Sequence, residues 1–242
     1  MSEFDWTDIE AVLFDLDGVL TPTARVHESA WKRAFDDFLA ARDGTGFEPF
    51  TERDYLDHVD GKPRYDGVRD FLSSRGIELP QGDPSDPPGH DTVCALGNLK
   101  NDMFNRVLED EGVEPYPDAV QLLDWLRGTD IALAIVSSSA NAKPVLAAAG
   151  LADRFLFVMD GVEARERELP GKPQPDTFVT AAEQVGKTAG TSVVFEDAVS
   201  GVAAGAAGGF AAVVGVDRTD SAAALEEAGA TIVVQDLSTL VP

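Results

Sequence analysis

Two aspartates stand one residue apart in "VLFDLDGVLT" (Val12 to Thr21), directly after an apolar run. Residues i and i+2 of an extended chain project to one side, so Asp15 and Asp17 share a face, and Gly18 lets the backbone turn away. Both are charged at neutral pH and repel each other. Such a pair is either a solvated turn or the seat of something positive. A carboxylate can attack phosphorus to form an aspartyl phosphate, but it must then approach an anion. A unit-charge pair at ~4 Å repels by about 4 kcal/mol at an effective dielectric of ~20, roughly a thousandfold in rate. A hard divalent cation removes that penalty and polarises the phosphoryl oxygens. Mg2+ favours few carboxylates, several waters and a substrate phosphate. In this chemistry Asp15 attacks beside Mg2+. Asp17 gives a proton to the leaving oxygen, then takes one from the incoming hydroxyl.

Further along, "FEDAVSG" presents Glu196 and Asp197, which extend the metal site from a second strand or simply form the acidic start of a helix. Ser137 in "VSSSAN" can hold a phosphoryl oxygen together with backbone N–H groups, or can serve as a helix N-cap. It is a poor nucleophile, because none of the three histidines lies near it in sequence. "GKPQPD" puts Lys172 in a stiff loop, where it can neutralise a phosphoryl group or stand solvated at the surface. "GVAAGAAGG" (201–209) mimics a dinucleotide fingerprint, but it falls inside a helix beside two acids that would repel a pyrophosphate. Close helix–sheet packing explains its small residues better.

The elements that must position these groups are legible as apolar runs. "AVLF" (11–14), "IALAIV" (131–136), "FLFVM" (155–159), "SVVF" (192–195), "AAVVGV" (211–216) and "TIVV" (231–234) are continuously apolar, as expected for strands covered on both faces. Helical stretches alternate with them, which predicts an α/β fold with a doubly wound parallel sheet. Such sheets bind ligands at the carboxyl ends of their strands, and "DLDG", "SSSAN", "DG", "EDAVSG" and "GVDR" all follow strands. About 115 residues separate the first two strands and carry mainly helical patterns. They predict an inserted helical domain over 25–110, with a core formed by 1–24 and 111–242. "LPQGDPSDPPGHD" (79–91) reads as a surface loop within the insert.

Composition narrows the partners. A net charge of −24 argues against nucleic acid and anionic membranes, and an anionic substrate must be recruited by local cations. Three of the six lysines, Lys62, Lys100 and Lys172, fall in motifs. No run is long enough to span a bilayer, and the acidic start lacks the marks of a secretory signal. The lone cysteine, Cys94, rules out an internal disulfide framework and fits a reducing cytoplasm.

In chain order, "DLDGVLT", "SSS", "GKPQPD" and "FEDAVSG" resemble motifs one to four of the haloacid dehalogenase superfamily, over nearly the whole chain. "DLDGVLTPTARVHESAWK", "GKPRYDGV" and "GNLKNDMF" are similar to the first motif with its cap helix, the substrate loop and the lysine-bearing cap helix of the β-phosphoglucomutase-like subfamily. The resemblance implies a Rossmann-like core with an α-helical cap, and roles for individual residues. Asp15 is the nucleophile and a metal ligand. Asp17 is the general acid/base and binds Mg2+ through its main-chain carbonyl. Asp197 is a metal ligand, with Glu196 in or beside the coordination shell. Ser137 and Lys172 hold the transferring phosphoryl group, and Ser138, Ser139 and Asn141 a second phosphate. In the cap, Arg64 is a substrate-phosphate ligand, while His27 and Lys100 couple cap closure to the acid/base aspartate; Thr23, just before the cap, is a substrate-binding residue.

Three positions depart from the subfamily: Pro22 where an acid precedes Thr23, Asp60 before the cap-loop glycine, and Ala140 for a loop lysine. The implied activity is a Mg2+-dependent phosphomutase acting on a β-hexose 1-phosphate, such as β-glucose 1-phosphate, through a bisphosphate. The alternative is a sugar phosphatase in which water takes the phosphoryl group. A phosphorylation-switched receiver module fits poorly with the long insert and the late "FEDAVSG". A dehalogenase would leave Asp17 no leaving oxygen to protonate. The expected partner is a small sugar phosphate, bound by a cytoplasmic monomer or weak homodimer.

Overall fold

The computed structural model describes residues 4–242. The chain divides into two compact units, Met1–Pro22 with Val113–Pro242, and Thr23–Gly112.

The first unit holds β1 (Ala11–Phe14) and, after the second unit's four helices, α5 (Pro117–Leu126), β2 (Ala132–Val136), α6 (Ala142–Ala148), β3 (Phe157–Met159), α7 (Gly161–Glu166), α8 (Asp176–Gln184), β4 (Ser192–Glu196), α9 (Val199–Ala207), β5 (Ala212–Val216), α10 (Ala222–Glu227) and β6 (Ile232–Val234). The six strands form one sheet in the order β3-β2-β1-β4-β5-β6, and every pairing is parallel. This is the doubly wound topology the apolar runs predict. β1, β2, β4 and β5 are buried at every position, which is why they read as unbroken apolar stretches. The order reverses beside β1, and in such sheets a crevice opens there at the carboxyl ends.

Register carries this to the side chains. Phe14 pairs with Ile135 on one flank and Phe195 on the other, and the Phe14 and Phe195 rings lie 4.9 Å apart. The first residue past the apolar run on β1 is therefore level with Val136 and Glu196. The Asp15 N–H donates to the Phe195 carbonyl at 2.9 Å, extending the ladder by one rung. α9 packs through its small residues, as expected of "GVAAGAAGG". A Cβ on Gly205 would come within 3.0 Å of Val213 and 3.3 Å of Val194.

The second unit consists of α1 (Thr23–Asp43), α2 (Glu52–His58), α3 (Arg64–Ser74) and α4 (Val93–Glu111). α1 buries Thr23, His27, Ala30, Trp31, Ala34, Phe35, Phe38 and Leu39, a stripe at helical spacing. Its core is aromatic. Phe35 meets Phe71 at 4.2 Å and Phe50 at 5.1 Å, and Phe50 meets Phe71 at 5.0 Å, each such pair adding about 0.5–1.5 kcal/mol beyond area burial. α2 is absent from the apolar-pattern reading, although "TERD" marks it. Thr51 and Asp54 form a reciprocal capping box at its start. Residues 79–91 form a loop stitched by its own polar groups. Among the described residues no helix is long and apolar enough to cross a membrane.

Candidate active site

Six of the sequence-predicted residues, Asp15, Asp17, Ser137, Lys172, Glu196 and Asp197, converge at the carboxyl edge of the sheet in the first unit. Asp15 leaves β1, Ser137 leaves β2, and Glu196 ends β4 with Asp197 behind it. Lys172 comes from the loop between α7 and α8 and is buried, as are Asp15 and Glu196. Its Nζ donates to Asp15 Oδ1 at 2.6 Å, the Val136 carbonyl at 3.1 Å and Glu196 Oε1 at 3.2 Å. Those three bonds use all three ammonium donors. The solvated-lysine alternative is thereby set aside.

Charge in this site is finely opposed. Burial pushes the Asp15 carboxyl up from the usual range and the neighbouring Asp17 pushes it the same way, while Lys172 pulls it down; the net direction is up. For Lys172, burial alone favours the neutral amine, but attraction to Asp15 and Glu196 outweighs it and the ammonium is held more tightly than an ordinary lysine's. Lys172 therefore stays charged in the neutral range.

Asp15, Glu196 and Asp197 each bring a carboxylate oxygen into a group within 4.8 Å of one another. Hard oxygen donors in this number suit a hard divalent cation that keeps several waters. Two glycines shape the cradle. Gly18 has φ +91°, a backbone state L-residues disfavour, and a Cβ there would collide with the Asp197 carboxylate. A Cβ on Gly201 of α9 would collide with the Glu196 side chain. Neither Glu196 nor Asp197 occupies the N-cap position of α9, which is Ala198.

Ser137 is not a helix cap either. Its Oγ donates to Asp17 Oδ2 at 3.3 Å and accepts from the Ser139 N–H at 3.1 Å. The Asn141 N–H donates to Ser139 Oγ at 3.1 Å, so Ser137, Ser138, Ser139 and Asn141 lie on one hydrogen-bonded loop between β2 and α6. Two supports of the edge were not singled out from the sequence. A Cβ on Gly161 would sit 2.5 Å from the Ser138 carbonyl oxygen, so only glycine lets the turn after β3 approach that loop. Arg218, in "GVDR", donates to the Val19 carbonyl at 3.3 Å and pairs with Asp118 at 2.9 Å, bracing the turn that carries Asp17.

The helical unit gathers the other predicted residues. Thr23 is buried at the start of α1. Lys100 Nζ is in hydrogen-bond contact with His27 Nδ1, and lies 4.9 Å from the Trp31 ring and 5.2 Å from that of Phe104. The His27 imidazole stacks on Phe104 at 4.1 Å. A cation over ring faces is held by their quadrupoles. Arg64, the first residue of α3, reaches Asn98 and Asn101 of α4, two residues without an assigned role in the sequence reading.

A family model described as haloacid dehalogenase-like hydrolase matches residues 9–209. The chain is 51% identical over 240 residues to a β-phosphoglucomutase of Mycobacterium bovis, covering 96% of this chain and 91% of that one. This chain belongs to the haloacid dehalogenase superfamily, in its β-phosphoglucomutase-like branch. The haloacid dehalogenase fold extends to a crystal structure of a β-phosphoglucomutase from Clostridium difficile, with a TM-score of 0.76 at 24% identity, over 96% of this chain and 93% of that one. Another relative is a fructose-1-phosphate phosphatase of Escherichia coli, 30% identical over 202 residues, 84% of this chain and 94% of that one.

Proposed function

We propose that this chain is a Mg2+-dependent phosphoryl-transfer enzyme that converts β-glucose 1-phosphate to glucose 6-phosphate through an aspartyl phosphate and a sugar bisphosphate. The observation that carries the reading is the 51% identity to a β-phosphoglucomutase along nearly the full length of both chains. The edge-of-sheet cluster supports the chemistry. Mg2+ bound among Asp15, Glu196 and Asp197, with the Asp17 main-chain carbonyl, would offset the carboxylates' repulsion of a phosphate and polarise its oxygens.

Every step falls to residues of the chain. Asp15 attacks phosphorus and carries the phosphoryl group. Lys172 and Ser137 hold that group's oxygens, Lys172 exchanging a bond to carboxylate for one to phosphate. Asp17 protonates the leaving sugar oxygen, then deprotonates the hydroxyl that returns to the phosphoenzyme. Ser138, Ser139 and Asn141 hold the phosphate that is not reacting. Residues 25–110 act as the cap; Arg64 within it and Thr23 just before it meet the sugar phosphate, and the buried His27–Lys100 contact signals closure to Asp17. We read the protein as a cytoplasmic monomer or weak homodimer; its one cysteine is buried and free.

Purified enzyme given Mg2+, β-glucose 1-phosphate and a trace of sugar bisphosphate is expected to form glucose 6-phosphate without releasing phosphate. Steady phosphate release across many sugar phosphates would support the phosphatase reading, which the relationship to a fructose-1-phosphate phosphatase favours.

A further inference from the structure

We infer that Asn98 is a positioning residue that aims the Arg64 guanidinium and so sets affinity for the substrate phosphate. This inference rests on the proposed role of Arg64. Asn98 lies on α4 and uses its whole carboxamide. Its Oδ1 accepts from Arg64 Nη1 at 3.2 Å and from the Tyr65 hydroxyl at 3.0 Å. Its Nδ2 donates to the Pro84 carbonyl at 3.1 Å and the Asp86 carbonyl at 2.9 Å. A carboxamide has two donors and two acceptor lone pairs. All four are engaged, which determines its orientation: a flipped amide would set Nδ2 against a guanidinium and Oδ1 against two carbonyls.

The geometry around it serves the same end. One turn on, Asn101 Oδ1 accepts from Arg64 Nη2 at 2.7 Å, so the two guanidinium arms are held by carboxamides at i and i+3 of one helix face. The neighbouring Gly97 lets Arg64 lie against α4, because a Cβ there would come 2.9 Å from the Tyr65 ring and 3.1 Å from Arg64 Cδ. The Arg64 guanidinium carbon also sits 5.8 Å from the Tyr65 ring centre. Both carboxamide acceptors are neutral. They orient the fork without cancelling its charge, as a carboxylate would, and a planar, oriented guanidinium suits bidentate recognition of a phosphate. Asn98 also ties that cation to the loop over 79–91, whose carbonyls it holds.

The test is steady-state kinetics of Asn98→Ala, Arg64→Ala and the double variant, with Mg2+ saturating and with β-glucose 1-phosphate and fructose 1-phosphate as substrates. Asn98→Ala is expected to raise KM about tenfold, the worth of one charge-assisted hydrogen bond, with kcat changed less than about threefold. In the Arg64→Ala background the same substitution should leave KM unchanged, because residues acting through one another are non-additive. Asn98→Asp should raise KM beyond Asn98→Ala, since a carboxylate neutralises the guanidinium. If Asn98→Ala does not fold, Gly97→Ala carries the test, its methyl pushing on Arg64 Cδ and raising KM in the same Arg64-dependent way. An unchanged KM in Asn98→Ala, or an equal KM increase with and without Arg64, overturns this inference and leaves the mutase reading standing. Wild-type enzyme inert toward both substrates overturns the functional reading, and this inference with it.

Discussion

The Asp197 carboxylate fills the space that a side chain on Gly18 would occupy. Gly18 also holds φ +91°, so the turn after β1 and the acid after β4 have room for each other only because residue 18 is glycine. Gly18→Ala must both strain the backbone, at about 1–2 kcal/mol, and displace Asp197. Calorimetric titration with Mg2+ should show affinity reduced by about tenfold or more, the scale on which neighbours of metal ligands act. Unaltered Mg2+ affinity would remove Asp197 from the metal site.

Lys172 is the cation that two buried carboxylates share. Lys172→Ala leaves Asp15 and Glu196 facing each other without it, and the metal-free protein should lose about 3 kcal/mol, read from urea unfolding. The same charge deletion should tighten Mg2+ binding while turnover falls by ~10²–10³, the cost of losing one donor to the transferring group. Weaker Mg2+ binding in this variant would contradict the electrostatic account.

The proposed mechanism gives Asp15 and Asp17 different tasks despite their spacing. Asp15→Asn should give no phosphoenzyme by rapid-quench mass spectrometry. Asp17→Asn should keep substrate binding and lose turnover by ~10²–10⁴. A fully active Asp17→Asn enzyme would end its assignment as acid/base.

Asp217, just after β5, is buried and accepts from the Ser221 N–H at 2.7 Å, the Thr219 N–H at 3.3 Å and Gln235 Nε2 at 3.1 Å. Burial raises its carboxyl's affinity for protons, but these donors outweigh burial and hold it below the ordinary 3.8. A depressed folded value means the carboxylate's stabilisation is complete above the ordinary value and is lost as pH falls toward the folded one. Asp217→Ala should therefore cost about 2 kcal/mol at neutral pH, and the gap in Tm from wild type should narrow below pH 3.8. A gap independent of pH would mean the carboxylate's charge plays no part.

Much of this was legible in the linear chain for a simple reason. A strand buried on both faces must be apolar throughout, so β1, β2, β4 and β5 announce themselves, and chemistry in parallel sheets collects just past such runs. Short helices were less visible. α7 and α10 span six residues each, too few for a 3.6-residue period to emerge. Their signals were local, such as Asp160 accepting from the Val162 and Glu163 N–H groups to cap α7.

The amino-acid sequence by itself determined which residues could do chemistry here and the order in which they arrive, because residue type and strand patterning are local properties. Only the tertiary structure decided what Lys172 does. Nothing in "GKPQPD" tells a solvated lysine from one bonded to Asp15, 157 residues away. Likewise, only folding revealed that Gly18 makes room for Asp197 and that Asn98 orients Arg64. Those relations join segments distant in the chain, where packing and charge balance, rather than local pattern, select the partner.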